Sequence, residues 1–155
     1  MTICLPLPTP ASYTVQAPIR ELAPAESIFR ARSDDGMREE VLLKKLGPKG
    51  WGRIHHFLSS YEGGWGGGNP PLSPKVLSAF HRFLELAIFP NVGTCPSVFL
   101  TDRGGLELCW EDEGGKSIQV EFFQDGIEYF RASLDEEAVV GFDDIKRIAR
   151  ELSFE

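Results

Sequence analysis

Alternating apolar and polar runs, cut by short glycine-containing turns, constrain this chain more than any other feature. Between Ser97 and Ser133, Leu106, Leu108 and Trp110 alternate with Glu107, Cys109 and Glu111. Ile118, Val120 and Phe122 alternate in the same way with Gln119, Glu121 and Phe123. A period of two sends one side of each strand to a core and the other to water. Gly104-Gly105, Gly114-Gly115 and Asp125-Gly126 separate the runs. Connections this short allow only antiparallel neighbours. Asp125-Gly126 reads as a type I′ hairpin turn, which needs positive φ at both central residues. The expected strands are 97–101, 105–111, 116–124 and 127–133, a four-stranded antiparallel β-meander.

Helical signals flank the meander. Residues 1–35 read as an extended proline-rich arm, because Pro6, Pro8, Pro10, Pro18 and Pro24 remove donors and disfavour helix. Residues 36–155 read as a single α+β domain. A first helix is expected from about Asp35 to Leu46, with Gly47-Pro48 as its stop. A second is expected over 50–61, where Trp51, Ile54, Leu58 and Tyr61 form one stripe. The glycine-rich stretch from Gly63 to Pro71 is a loop. Ser73 and Pro74 then supply an N-cap and a first helical position for a helix reaching about Phe89, with Val76, Phe80, Phe83, Leu84 and Ala87 on its apolar face. After the meander come an acidic connector, a short strand at 138–140, and a C-terminal helix capped by Asp143 or Asp144 that carries Ile145, Ile148, Ala149 and Leu152.

Charge and cysteine use narrow the function classes. The net charge is −7, with +1 up to Glu62 and −8 from Gly63 onward. An acidic C-terminal half opposes direct binding to nucleic acid and suits a partner protein with a basic patch. No apolar run approaches a membrane span. The N-terminus has no basic segment, and its prolines interrupt the apolar residues, so a secretory signal is not expected. Cys4, Cys95 and Cys109 are odd in number and form no C-x-x-C pair, as in a reducing cytoplasm.

The chemistry-bearing residues are few. The glycine loop lacks the G-K-[ST] of a phosphate loop, and Pro70, Pro71 and Pro74 remove donors that a phosphate would need. His55 and His56 diverge on a helix, whereas His81 and Glu85 share a face; neither pair is a metal site, and no metal or other cofactor is expected. Glu107, Glu111, Glu121 and Glu128 lie on strands of the meander, and Trp65 sits in the glycine loop. These five are the expected partner-binding residues: an acidic sheet face and an aromatic anchor. No catalytic residue is assigned. The sequence does not specify a reaction.

The motif order from Tyr61 to Arg131 resembles a set of small uncharacterised bacterial proteins. The shared elements are Gly64-Trp65-Gly66, Pro71-Leu72-Ser73, the helix over 74–89, Pro96-Ser97-Val98, Thr101-Asp102 with Gly104-Gly105, the strand from Leu106 to Trp110, and Asp125-Gly126 with Tyr129. This chain has Gly66 where the family often has Asp. The resemblance implies no catalytic residue. It implies a member of a paired or mobile bacterial system, and the leading expectation is a non-catalytic protein-binding module of an antitoxin or immunity-like kind. The alternatives are a small metal-dependent hydrolase or nuclease using clustered Glu, and a structural subunit of a bacterial or phage assembly.

Overall fold

The structure is a computed structural model that describes residues 39–61, 68–90 and 95–153. The proline-rich arm, Met37 and Trp65 lie outside the described residues. The elements run α1 (Glu39–Ser60), α2 (Pro74–Leu86), β1 (Ser97–Leu100), β2 (Leu106–Glu111), β3 (Ser117–Phe123), β4 (Gly126–Arg131), β5 (Glu136–Val140), a 3₁₀ turn (Phe142–Asp144) and α3 (Ile145–Glu151).

The α+β class holds, and the sheet is an antiparallel meander in sequence order. It has five strands rather than four. The fifth grows from the short strand expected at 138–140, which extends back to Glu136 and pairs with β4 along its length. Glu136-Glu137 reads as connector, yet Glu136 is held in place: Tyr129 Oη donates to its Oε1 at 3.0 Å, and the Arg131 guanidinium binds the other oxygen.

The two helices expected in the first half form one element broken at Gly47, whose φ of 67° and ψ of 178° are not helical. Pro48 follows at the start of the second half, where its missing N–H costs nothing. α2 begins as the sequence indicates, with Ser73 Oγ accepting from Val76 N at 3.2 Å and Pro74 inside the first turn. It ends at Leu86, short of Phe89, because Ala87 is already extended. Asp144 precedes α3, but its carboxylate makes no capping bond; it accepts from Arg147 Nε at 3.1 Å instead.

The inner sheet face and all three helices share one core. Leu106, Leu108, Trp110, Ile118, Val120 and Phe122 are buried on the strands, as the alternation requires. Phe122 meets Phe80 and Phe83 of α2 with ring centroids 5.5 and 5.3 Å apart. Edge-on aromatic pairs of this kind add about 1 kcal/mol beyond the burial itself.

Two hairpins use the same turn. In 101–105 and 112–116 the first residue donates its N–H to the fifth residue's carbonyl, and the fourth residue donates back to the first. The side chain of the first, Thr101 or Asp112, accepts from the fifth residue's N–H at 3.1 or 2.8 Å. The fourth residue is glycine with positive φ, 67° at Gly104 and 72° at Gly115. This is a three-residue hairpin loop closed by a left-handed residue.

The third hairpin departs from expectation. Phe123 pairs with Gly126, so the loop is Gln124-Asp125, and none of Gln124, Asp125 and Gly126 has positive φ. The type I′ turn is not formed. Gly126 is required for a different reason: a Cβ there would stand 2.5 Å from the Val140 carbonyl oxygen of β5.

Gly115→Ala adds only backbone strain, since a Cβ there meets nothing within 4 Å, and should destabilise by about 1 kcal/mol. Gly126→Ala should destabilise at least as much despite its ordinary φ, because it pushes β5 off β4. Urea melts of the two variants check both values, and native-like hydrogen exchange in β5 of Gly126→Ala would overturn the close-approach explanation.

Candidate functional site

The core cluster contains none of the residues that alternate outward on the sheet. From α1, Arg53 places its guanidinium 5.1 Å from the ring centroid of Phe99, at the β1 end of that face. Register decides which outward residues meet. Phe99 pairs with Glu107, Glu107 with Glu121, Glu121 with Glu128, and Glu128 with Val139. One transverse row across all five strands therefore reads Phe99, Glu107, Glu121, Glu128, Val139. Three neighbouring carboxylates stand in its middle and an exposed apolar side chain at each end, Phe99 at 43% and Val139 at 62%.

Like charges directly opposite each other on a sheet destabilise it. Arg103 compensates. It sits in the 101–105 turn, and its guanidinium binds Glu121 and Glu128 together while lying over the Phe123 ring, 4.2 Å from the centroid. Nothing in the local sequence marks Arg103 as part of this group. The nearest signal is its place in a turn whose hairpin is zipped to the strand bearing Glu121.

The surroundings act on Glu121 in opposite directions. Burial pulls the Glu121 carboxyl upward, but hydrogen bonds from Arg103 and Thr101 and the Arg103 charge outweigh it, and the group ends below its usual range. Glu107 accepts from the Cys109 thiol at 2.9 Å. Burial, and then the Glu107 carboxylate, push that thiol up to about 12. Cys109 is thus a protonated donor at neutral pH and a poor nucleophile.

Three of the expected partner-binding residues, Glu107, Glu121 and Glu128, come together. Glu111 does not join them; it faces outward at the far end of β2, opposite Ser117. Trp65, the fifth, lies outside the described residues. His81 is 5% exposed on α2, with its Nδ1 3.9 Å from Glu85 Oε1, so the two do share a face. His55 stacks on Trp51 at 4.0 Å, and His56 Nδ1 lies 3.1 Å from Ser60 Oγ. Among the described residues, no three His, Cys, Asp or Glu side chains are grouped to hold a metal ion. No described helix is long and apolar enough to cross a membrane.

The fold and this face define a small α+β domain with a helix-backed sheet and a charged, aromatic outer surface. Comparison with protein-family models, curated proteins and solved structures finds no match.

Two outcomes are expected. Folded-state depression of Glu121 contributes stability that is complete well above the ordinary carboxylate value of 4.5 and is lost as pH falls through the lower folded value. Glu121→Gln should therefore lower the urea midpoint at pH 7 and flatten its decline in acid. In a Cys4→Ser background at pH 8, a thiol reagent should label the exposed Cys95 quickly and Cys109 slowly, and Glu107→Gln should speed Cys109 labelling.

Proposed function

We propose that this chain is a non-catalytic protein-binding module of an antitoxin or immunity-like kind, which holds a partner's basic surface on the outer face of its sheet. The single observation that carries the reading is the row Glu107–Glu121–Glu128 across three paired strands, with one arginine among three carboxylates. Arg103 neutralises part of the row and leaves it acidic.

Aromatic groups accompany the charge. Phe99, Phe123 and Phe130 are all outward and at least partly exposed. A cation held over an aromatic ring while paired with carboxylates is what Arg103 already demonstrates on Phe123. Arg53 of α1 already lies over Phe99, 5.1 Å from its centroid, so a partner's arginine or lysine is left the carboxylate of Glu107 beside that pair. The fixed ionisation of Glu121 supports binding rather than acid–base work, since a general acid or base must exchange its proton near the working pH.

The test is capture of the partner by the tagged full chain in its native cells, followed by affinity measurement with the purified pair. Affinity should fall about tenfold or more between about 0.05 M and about 0.5 M salt, since ions screen exposed charges over a few ångströms to about 10 Å. Glu107→Lys should weaken binding by a similar factor while leaving the melting temperature within a few degrees, because among the described residues Glu107 bonds to the Cys109 thiol and not to Arg103. A partner that binds equally at both salt levels and equally to Glu107→Lys would remove the acidic row from the account.

A further inference from the structure

The two edges of the sheet are treated differently. At β1, Arg53 Nη1 reaches across from α1 and donates to the Val98 carbonyl at 3.0 Å. That carbonyl, one of the four backbone groups that Val98 and Leu100 turn away from β2, would otherwise be offered to another strand. Among the described residues, β5 has no such cover. Ala132 N–H donates to Ser117 O of β3, and along an antiparallel strand the direction of these bonds alternates. Arg131, Tyr129 and Ile127 therefore turn their backbone groups toward β5. Their partners Glu136, Ala138 and Val140 face back, and the N–H and C=O of Glu137 and Val139 point away from the sheet. Among the described residues, nothing bonds to these four groups.

Natural edge strands are protected by proline, lysine, a bulge or a covering element. Among the described residues, β5, Glu-Glu-Ala-Val-Val, has no proline, lysine, bulge or covering element, and its only charges are the two glutamates. Its outward side chains, Glu137 and Val139, are both exposed, and Leu134 in the preceding turn is 61% exposed. Glu136 is engaged by Arg131 and Tyr129, whereas Glu137 has no ion-pair partner among the described residues.

We infer that β5 is a docking edge that takes one extended, basic segment of the partner as a sixth strand. This rests on the binding-module reading above and adds a second mode of contact to it. The added strand would complete the backbone bonds of Glu137 and Val139. It would set a lysine or arginine opposite Glu137 and an apolar side chain opposite Val139. A second copy of the chain fits less well, since it brings the same acidic edge and a net charge of −7.

The probe is acetyl-Val-Thr-Lys-Thr-Val-amide, whose palindromic order suits either strand direction, titrated into the full chain. At saturation, amide exchange of Glu137 and Val139 should slow by about tenfold or more, with β1 unaffected. Val139→Lys should weaken this by about tenfold or more, because like charge on an edge repels the added strand. Val139→Pro removes only the N–H that the fold does not use, and should abolish it. If Val139→Pro does not fold, Val139→Lys carries the test. No slowing, equal slowing with glutamate in place of the peptide lysine, or equal slowing in Val139→Lys would overturn the inference. So would protection without peptide that tracks dimer formation in sedimentation, which would give the edge to a second copy. A captured partner that binds Val139→Lys as tightly as the parent, yet remains salt-sensitive, would remove the edge and leave the outer-face reading standing.

Discussion

The seating of Phe122 against Phe80 and Phe83 determines the rest of the structure. All three rings are fully buried, and each contributes roughly 2–3 kcal/mol by leaving water. The contact fixes which side of the sheet the helices cover. A slip of β3 by one residue would exchange Phe122 for Glu121 on the core side, and every alternate residue would change faces with it. The outer row of carboxylates is thus a consequence of the core. Glu107 and Glu121 point outward because Leu108, Leu106 and Phe122 beside them point inward. The outer surface is as rigidly placed as the aromatic contact behind it.

A like-charge row would weaken the sheet without its arginine, and that arginine depends on backbone geometry elsewhere. Arg103 precedes Gly104, whose positive φ closes the turn and whose missing Cβ admits the Pro70 carbonyl oxygen, 2.5 Å from where that atom would stand. The loop before α2, the 101–105 turn and the carboxylates of β3 and β4 therefore act as one unit. The ion pairs themselves are partly exposed and worth about 1 kcal/mol or less each in net stability. Their larger effect is orientation: they hold two carboxylates side by side with their charge outward.

The sequence carries the inner face and the main breaks plainly, because burial and backbone freedom are local. Alternation places Leu106 to Trp110 and Ile118 to Phe122, Gly47-Pro48 marks the break in α1, and Ser73-Pro74 marks the start of α2. What it conveys poorly is set by distant partners. β5 begins with two glutamates that resemble a connector, and only Arg131 and Tyr129 on the neighbouring strand make Glu136 a strand residue. Asp125-Gly126 has the composition of a type I′ turn, yet Gly126 serves an approach of β5, a contact with Val140 that no local pattern encodes. The candidate site divides in the same way. Residue parity gives the face, so Glu107, Glu111 and Glu121 are legible as outward, while Glu128 is legible as a strand residue of the same meander. Register gives the row, and it separates Glu111 from the other three. Arg103 was not legible, since a turn residue shows no periodicity and its partners lie on other strands.

Two groups on the outer face, Glu121 and Cys109, are also each held toward one protonation state. Glu121 stays ionised because Arg103 and Thr101 donate to it, and Cys109 stays protonated because burial and Glu107 oppose its thiolate. A catalytic pair needs its members poised to exchange protons, which calls for environments that bring their affinities toward the working pH. Here the environments drive the carboxyl down and the thiol up. Fixed charge is of more use to recognition: its field is constant across the neutral range, it steers encounter, and it penalises a partner of the wrong sign. The same division runs through the edges. Arg53 caps one β1 carbonyl with a cation, while among the described residues nothing bonds the outward backbone groups of β5 or pairs with Glu137. The acidic row and the open edge meet at Val139, which is both the last residue of the row and an outward-facing residue of the edge. In the proposed reading, a basic partner drawn to the row is thereby brought to an edge where, among the described residues, the backbone groups of Glu137 and Val139 are unbonded.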